Sequence, residues 1–515
     1  MNSTVEDKNV VENAEYWVKA GDVFYNDDKY EEAIKCYEKT VQFGQIKAST
    51  FLNWGIALHM LARTKKDVDL FKKALEKYNE AIQIGSDDAS VFFHWGITLF
   101  RLAEFKQDEN FKKNLKKFEN ASKEINDSDT FLIKGELFFF LNQTEKAMEY
   151  FKKSGKSILK ILTFLDYVNG KKMIETNFLH PLLDSNETEA GKFFNETAIK
   201  KLTPEQIVNL DEYKKIYIRS IFIINLLHVN NINENFVAHY REKIISQKLL
   251  FENGFKFRLN AVDYSNDPNE GKTLLDFLYG KNNYKTDEEL NTEYEAFASS
   301  FVFDYDNLNM FRLYGKDEKK KEGTGLSLVF KDTFFNKDAD MAIGTPEKNK
   351  SSLYRCIYID PHPETTRNVV TVGHKEEYLF YREKKGDDFE KYNKNMKEIV
   401  ERVRKEMGVL KKQANKLDNK DIVGQLLLNL RYLVKHVAFK EEQECRIVKI
   451  LNFREDKGSI IDDSKQMYIE YESEVSEHIA KIIFGPKAEG FELFKNRLLY
   501  KELNIPCEKS KNSLA

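Results

Sequence analysis

Near the C-terminus Glu442, Glu444 and Arg446 alternate along a short β-favouring run. If that run is extended, its period of two places both carboxylates and the guanidinium on one face. Such a face is either a salt-bridged surface ladder or a buried site in which Arg446 orients Glu444. The apolar Val448 and Ile450 continue on the same face and favour the buried site. A second constellation is Asn266-Asp267-Pro268 followed by Glu270. Its first three residues form an Asx-turn signature, since Asn and Asp bond nearby backbone and Pro fixes φ. Gathered by the fold, Asp267, Glu270, Glu442 and Glu444 could hold a divalent metal, which would be nuclease or hydrolase chemistry.

Other constellations fail. Gly323-Thr324-Gly325 lacks the following Gly and Lys of a phosphate loop. His362, His374 and His436 have no His or Cys at metal-ligand spacing, so no metal site is expected. Cys36, Cys356, Cys445 and Cys507 form no CxxC pair, which argues for a reducing compartment. The Lys319–Lys321 and Lys411-Lys412 runs are solvated loops or faces.

The elements that must position the carboxylates are short β-favouring runs bounded by Gly, Asn, Asp and Pro. They are Phe255–Leu259, Phe297–Phe303, Leu326–Phe330, Leu353–Ile359, Val369–Val372, Cys445–Leu451, Met467–Tyr471 and Ile479–Phe484. An amphipathic segment, Asp387–Gln413, reads as an exposed helix. Strands and helices without a βαβ rhythm predict an α+β domain over residues 236–505. Residues 157–235 read as a helical bridge or degenerate repeats, with an N-cap at Thr203-Pro204 and an apolar helix from Tyr213 to Val229.

Residues 10–156 are repetitive. Four segments pair a Gly on one helix with a small–aromatic–small pattern on the next: Gly21…Ala33…Tyr37…Thr40, Gly55…Ala74…Tyr78…Ala81, Gly96…Asn114…Phe118…Ala121 and Gly135…Ala147…Phe151…Ser154. In the first and last the spacings are 12, 4 and 3, as in the tetratricopeptide consensus. The middle two carry six or seven extra residues. Gly and Ala let antiparallel helices approach, and the aromatic fills the gap beside them. One hairpin cannot bury its apolar face, so the units stack and present a surface for a protein or peptide partner. Asn53, His59 and His94 could lie on the inner face. The fold class is therefore multidomain: an all-α tetratricopeptide-like helical repeat array followed by an α+β domain.

Bulk properties limit the partners. The chain has 515 residues, and its 81 Lys and Arg nearly balance 84 Asp and Glu. A net charge of -3 gives no global field for nucleic acid or anionic lipid. The polar, acidic N-terminus lacks a signal peptide's basic start and apolar run, and no window is apolar enough to span a membrane. A cytoplasmic protein is expected.

Several stretches of the C-terminal half, in order, resemble the bacterial domain-of-unknown-function family 2971. They are His239-Tyr240, Phe257 to Glu270 with its Asn-Asp-Pro, Phe297 to Phe301, Leu308 to Gly315, Gly325 to Phe330, Phe439 to Arg446 and Ile482 to Lys487. Phe311 stands where that family usually has Trp, and Ser299 where Cys is common. The order His-Tyr, Tyr, Glu is also similar to the plan of ADP-ribosyltransferases. There an early His bonds the ribose of NAD, an aromatic stacks on nicotinamide, and a late Glu holds a ribose hydroxyl. That Glu also stabilises the positive charge of glycosidic cleavage. By this analogy the catalytic residues are His239, Tyr314 and Glu444. Tyr240, Asn266, Asp267, Glu270, Glu442 and Arg446 are substrate-binding.

The resemblance implies an effector of the bacterial defence or virulence kind. Its repeat array would bind a protein partner while the second domain acts on NAD or a nucleotide, by ADP-ribosyl transfer or NAD cleavage. A non-enzymatic adaptor and a metal-dependent nuclease or hydrolase are the alternatives.

Overall fold

The computed structural model describes residues 14–43, 47–104 except 87, 111–122, 125, 127–155 except 141 and 142, 161, 176–184, 189–229, 236–262, 267, 269–285 except 282, 293–336, 351–361, 370–374, and 386–512 except 455, 472 and 473. The chain divides into two compact units: Met1–Lys156 with Phe164–Phe178, and Ser157–Thr163 with Leu179–Ala515.

The first unit is a series of helical hairpins: α1 (Ala14–Asn26) with α2 (Tyr30–Thr40), α3 (Ala48–Lys65) with α4 (Val68–Gln83), α5 (Ala89–Glu104) with α6 (Phe111–Ala121), and α7 (Ser128–Phe140) with α8 (Thr144–Ser154). The glycines sit where the aromatics press closest. A Cβ added to Gly21 would lie 2.6 Å from the Tyr37 ring, one on Gly55 2.4 Å from Tyr78, and one on Gly135 2.6 Å from Phe151. In the third hairpin the crowding comes from the next repeat, since a Cβ on Gly96 would meet Ile133 at 2.0 Å and Phe118 only at 3.5 Å. The extra residues of the second hairpin lengthen its helices to 18 and 16 residues around an Asp67 N-cap, whose carboxylate accepts from the Asp69 and Leu70 N–H groups. His59 is interior: its Nδ1 lies 2.8 Å from the Thr98 hydroxyl, and its ring sits edge-on to Phe71. Burial holds both His59 and His94 below the usual histidine range, at about 3 and about 4. Asn53 donates to Asp22, which also accepts from Tyr37. His59 and Asn53 thus brace the array, while His94 takes part through its carbonyl, which accepts from the Thr98 hydroxyl.

The second unit is built on a ten-stranded, mostly antiparallel sheet with a separate three-stranded sheet. Its strands are β1 (Phe236–Arg241), β2 (Phe257–Ala261), β3 (Tyr294–Val302), β4 (Leu326–Lys331), β5 (Tyr354–Arg355), β6 (Ile357–Ile359), β7 (Val370–Val372), β8 (Val434–His436), β9 (Glu444–Asn452), β10 (Ile461–Asp462), β11 (Met467–Tyr471), β12 (Ile479–Phe484) and β13 (Cys507–Lys509). The large sheet runs β10-β11-β2-β3-β1-β4-β12-β13, with β9 on the other edge of β3 and β5 beyond it. The small sheet runs β7-β6-β8. The expected run 353–359 is therefore two strands belonging to different sheets, and its last part pairs parallel with β8. An aromatic core around Phe257, Phe301, Phe330 and Phe334 fills one face of the large sheet.

Most of the stretch read as a helical bridge, from Leu179 on, is part of this unit, whereas Phe164–Phe178 belong to the first. Its helix Leu210–Leu227 packs against Gly386–Ala414, and from Tyr213 on all of it but Lys215 and Arg219 is buried. Arg219, the charge interrupting that apolar run, forms an ion pair with Glu406 and donates to Gln413 across the contact. The long helix is accordingly only half exposed, because Met396, Ile399, Val403, Met407 and Leu410 form a buried stripe along it. Asn230 to Asn235 lie outside the described residues, as does Val369.

Gly55→Ala should cost about 1–3 kcal/mol by forcing Tyr78 off its rotamer. Gly408→Ala, whose Cβ meets nothing within 4 Å inside a helix, should be neutral or stabilise by up to about 1 kcal/mol. Thermal unfolding followed by circular dichroism checks both, and equal midpoints for the two variants would contradict the packing role of Gly55.

Candidate functional site

β3 organises the site because three strands share its two edges. Along one edge β9 pairs with it continuously, from Tyr294–Asn452 to Val302–Glu444. Along the other, β2 joins at Asn260–Ala298 and Ala261–Phe297, whereas β1 joins only at Ala238–Val302. Neither β1 nor β2 pairs with Ser299 or Ser300, so the two strands splay apart there. A cleft of about 470 Å³ opens at this split. Its lining includes His239, Tyr240 and Arg241 of β1, Arg258 and Asn260 of β2, Ser299 and Ser300 of β3, and Glu444 and Arg446 of β9. Asp267, Glu270, Tyr314, Lys435, Phe439 and Glu442 complete its acidic wall.

Arg446 ties that wall together. Its Nε donates to Glu444 Oε1 at 2.6 Å, Nη2 donates to Glu444 Oε2 at 3.2 Å, and Nη1 donates to the Tyr432 carbonyl at 2.9 Å. The same guanidinium grips Glu270 through Nη1 and, at 3.0 Å, through Nη2. Lys435 Nζ bridges Glu442 and Glu444, 2.6 Å from an oxygen of each. Tyr314 donates its phenol proton to Glu442 at 3.0 Å, and the Tyr358 hydroxyl accepts from the Glu444 backbone N–H. These ions are buried, so each needs its partner.

The two neighbouring carboxyls are driven apart. Burial would raise Glu444, but Arg446 and Lys435 outweigh it and hold the carboxyl far below the usual range. Glu442 is raised, first by burial, against the opposing pull of Lys435 and with the Glu444 charge beside it. Divergent pairs of this kind are the pattern of acid/base assignments. Burial, then the Glu442 charge, raises the Tyr314 phenol.

Across the cleft His239 Nδ1 lies 2.8 Å from the Ser300 carbonyl, which the strand split leaves available. A carbonyl only accepts, so Nδ1 carries the proton and Nε2 presents a lone pair. That Nε2 is buried with no hydrogen-bond partner. Burial, then the neighbouring Arg241, pushes the imidazole down to about 3, so it is neutral at physiological pH.

His239, Tyr314, Glu442, Glu444, Glu270, Asp267 and Arg446 thus line one cleft, and Asn266 lies outside the described residues. Tyr240 is different. Its ring packs edge-on against Phe311 at 4.9 Å, and its hydroxyl donates to the Asp304 carbonyl while accepting from the Asn307 N–H. The residue lines the cleft, but its phenol is held by these two backbone groups and its ring by Phe311, so it is not free to stack on a ligand. Asp267 serves the turn: it accepts from the Asn269 N–H, and its carbonyl accepts from Glu270, which delivers Glu270 to Arg446. Gly325 is a packing glycine, since a Cβ there would lie 2.4 Å from the Arg241 carbonyl and 2.5 Å from Gly315. Sequence reasoning missed Lys435, Arg241, Arg258, Asn260 and Phe439. Arg241 was legible, standing two residues after His239 on the same strand, but Lys435 reaches the site from the other sheet and leaves no local pattern. Among the described residues no group of three His, Cys, Asp or Glu is arranged to hold a metal ion. The carboxylates are gathered, but Arg446 and Lys435 supply their counter-charge.

Lys435→Met should destabilise the unit by about 3–5 kcal/mol, because it strands buried Glu442 and takes from Glu444 one of its two cations, and adding Glu442→Gln should recover part of that loss in urea titrations. A single variant as stable as the parent would mean that Lys435 does not hold β8 to β9. Native His239 refuses the proton that the unfolded chain accepts below about pH 6.5. Stability should therefore fall as pH drops from there toward 3, and His239→Gln should make the decline shallower. Parallel slopes for parent and variant would contradict the burial of the neutral ring.

Comparison with known proteins fits this division. Residues 14–42 and 128–154 match the tetratricopeptide repeat family; these are the two hairpins with consensus spacing. Repeats of this type suggest protein–protein interaction. Residues 310–447 match the family described as "Protein of unknown function (DUF2971)", a span running from the helix before Tyr314 to Ile447 on β9. No curated protein matches the chain. Among the described residues no helix is long and apolar enough to cross a membrane. The chain carries tetratricopeptide repeats followed by a DUF2971 domain within an α+β unit.

Proposed function

We propose that the repeat unit holds a protein partner while the cleft of the second unit binds NAD or a related nucleotide and breaks its nicotinamide–ribose bond. The electron pair of that bond leaves with nicotinamide as a neutral pyridine. Water, or a nucleophilic group of an acceptor, forms the new bond to the ribose carbon and gives its proton to a carboxylate. With water the products are nicotinamide, ADP-ribose and one proton.

The observation carrying this reading is the acidic wall opposite a neutral histidine. Three carboxylates, Glu270, Glu442 and Glu444, face two cations, Lys435 and Arg446. When all are ionised, one negative charge remains to favour a cationic, oxocarbenium-like transition state in a site sheltered from water. Glu444 stays ionised and supplies this field. Glu442 is the candidate base, since its raised proton affinity suits taking a proton from the nucleophile. Tyr314, partly exposed at the cleft, is the aromatic able to lie against the nicotinamide. The defence-type setting and the cytoplasmic location belong to this proposal.

Incubation of the full chain with NAD should release nicotinamide, detected by mass spectrometry. Glu442→Gln should lower the rate about 100-fold or more, measured below its unfolding midpoint, since Lys435 then keeps Glu444 as its carboxylate partner. Glu444→Gln should abolish turnover but also loosen the fold, so it is read beside its unfolding curve. NAD left intact both alone and with candidate protein acceptors would sink the proposal in favour of a binding-only adaptor.

A further inference from the structure

The cleft is electrically divided. Its acidic wall is largely neutralised internally, but the end formed by β1 and β2 is not. Arg241 lines that end with its guanidinium 5.6 Å from the centre of the Phe257 ring, and among the described residues it makes no ion pair or hydrogen bond. Arg446, Arg219 and Arg312 each meet a carboxylate closely, which Arg241 does not. Glu242 follows it in sequence and draws it electrostatically without forming an ion pair. Across the strand split stands Arg258, its guanidinium 3.9 Å from the Tyr468 ring centre and 3.8 Å from Asp463, a long and weak contact. Lining the same cleft are two acceptors without donors, His239 Nε2 and the side-chain oxygen of Asn260, both buried.

We propose that this end of the cleft is a phosphoryl-binding subsite, in which Arg241, assisted by Arg258, holds the phosphate of a phosphorylated sugar whose hydroxyls donate to His239 Nε2 and Asn260. A sheltered cation without a counter-ion is costly, and an incoming phosphate supplies the missing partner with the two-pronged geometry that guanidinium prefers. Acceptors lacking donors select hydroxyls, which a ribose provides and a bare inorganic anion does not. Burial and the neighbouring Arg258 lower the Arg241 guanidinium to about 10, which still leaves it charged at neutral pH. The acidic wall repels phosphate, so the charges also fix direction: phosphate toward β1 and β2, with the cationic or electrophilic end of the ligand toward Glu442 and Glu444. In its choice of a nucleotide this rests on the reading of the cleft given above, but the phosphate subsite stands on Arg241 alone.

The test is titration calorimetry of the full chain with ADP-ribose and, separately, with inorganic diphosphate. Parent protein should bind both, ADP-ribose more tightly because it also satisfies His239 and Asn260. Arg241→Met keeps the packing on Phe257, and it should weaken ADP-ribose about 10- to 100-fold and remove diphosphate binding. Its thermal midpoint should be unchanged or higher, because an unpaired sheltered charge is gone; a merely structural arginine would lower it. Arg241→Lys should restore part of the affinity. Unchanged ADP-ribose affinity in Arg241→Met, or a parent protein that binds neither ligand, would overturn the subsite. Phosphate binding through Arg241 without nicotinamide release would uphold it and refute the NAD-cleavage reading.

Discussion

The second unit depends on one buried guanidinium. Arg446 reaches from β9 to its strand neighbour Glu444, to Glu270 in the turn after β2, and to the Tyr432 carbonyl just before β8. It thereby joins three distant stretches of chain at one point, and Lys435 extends the junction to Glu442 and Tyr314. Taking these ions out of water costs several kcal/mol each, so no single member is dispensable. The arrangement is stable as a set and fragile to the loss of any part, which makes it a device for a unique geometry more than for stability.

That geometry has a function only because the sheet does not close above it. If β1 and β2 paired with β3 along its whole length, Ser300 would spend its carbonyl on a strand partner and His239 would have nothing to orient it. The split turns a missing piece of sheet into a cleft with an acidic wall, a neutral acceptor and a basic end. Hydrogen bonds forgone in the ladder reappear as side-chain positioning, a common use of irregularity next to sites.

Much of this was legible in the chain. Alternation along Glu442, Glu444 and Arg446 predicts a shared face, and Glu444 and Arg446 do share one on β9, whereas Glu442 ends a short helical turn before the strand and joins them through Lys435. Val448 and Ile450 predict its burial, and every residue of β9 is buried. The Gly and aromatic spacing of the repeats corresponds to direct ring-on-glycine packing in three of four hairpins. Tyr240 shows where local reading stops. Next to a histidine that lines the cleft it looks like a ligand-stacking ring, but the distant Asp304 carbonyl and Asn307 N–H hold its hydroxyl and Phe311 holds its ring. Lys435 shows the same limit from outside, since its neighbours Val434 and His436 give no sign that it will meet two glutamates.

The sequence by itself determined the repeat array, most of the strand-forming runs and the pairing of Glu444 with Arg446 within β9, because each is set by periodicity over a few residues. Helix packing at a glycine and the alternation of a strand need only neighbouring positions to be specified. Only the tertiary structure decided that β1 and β2 part over β3, that Lys435 arrives from the second sheet, and that Arg241 pairs with no carboxylate among the described residues. Those outcomes depend on which distant groups share a volume sheltered from water, where an ion's energy is set by its neighbours in space rather than along the chain.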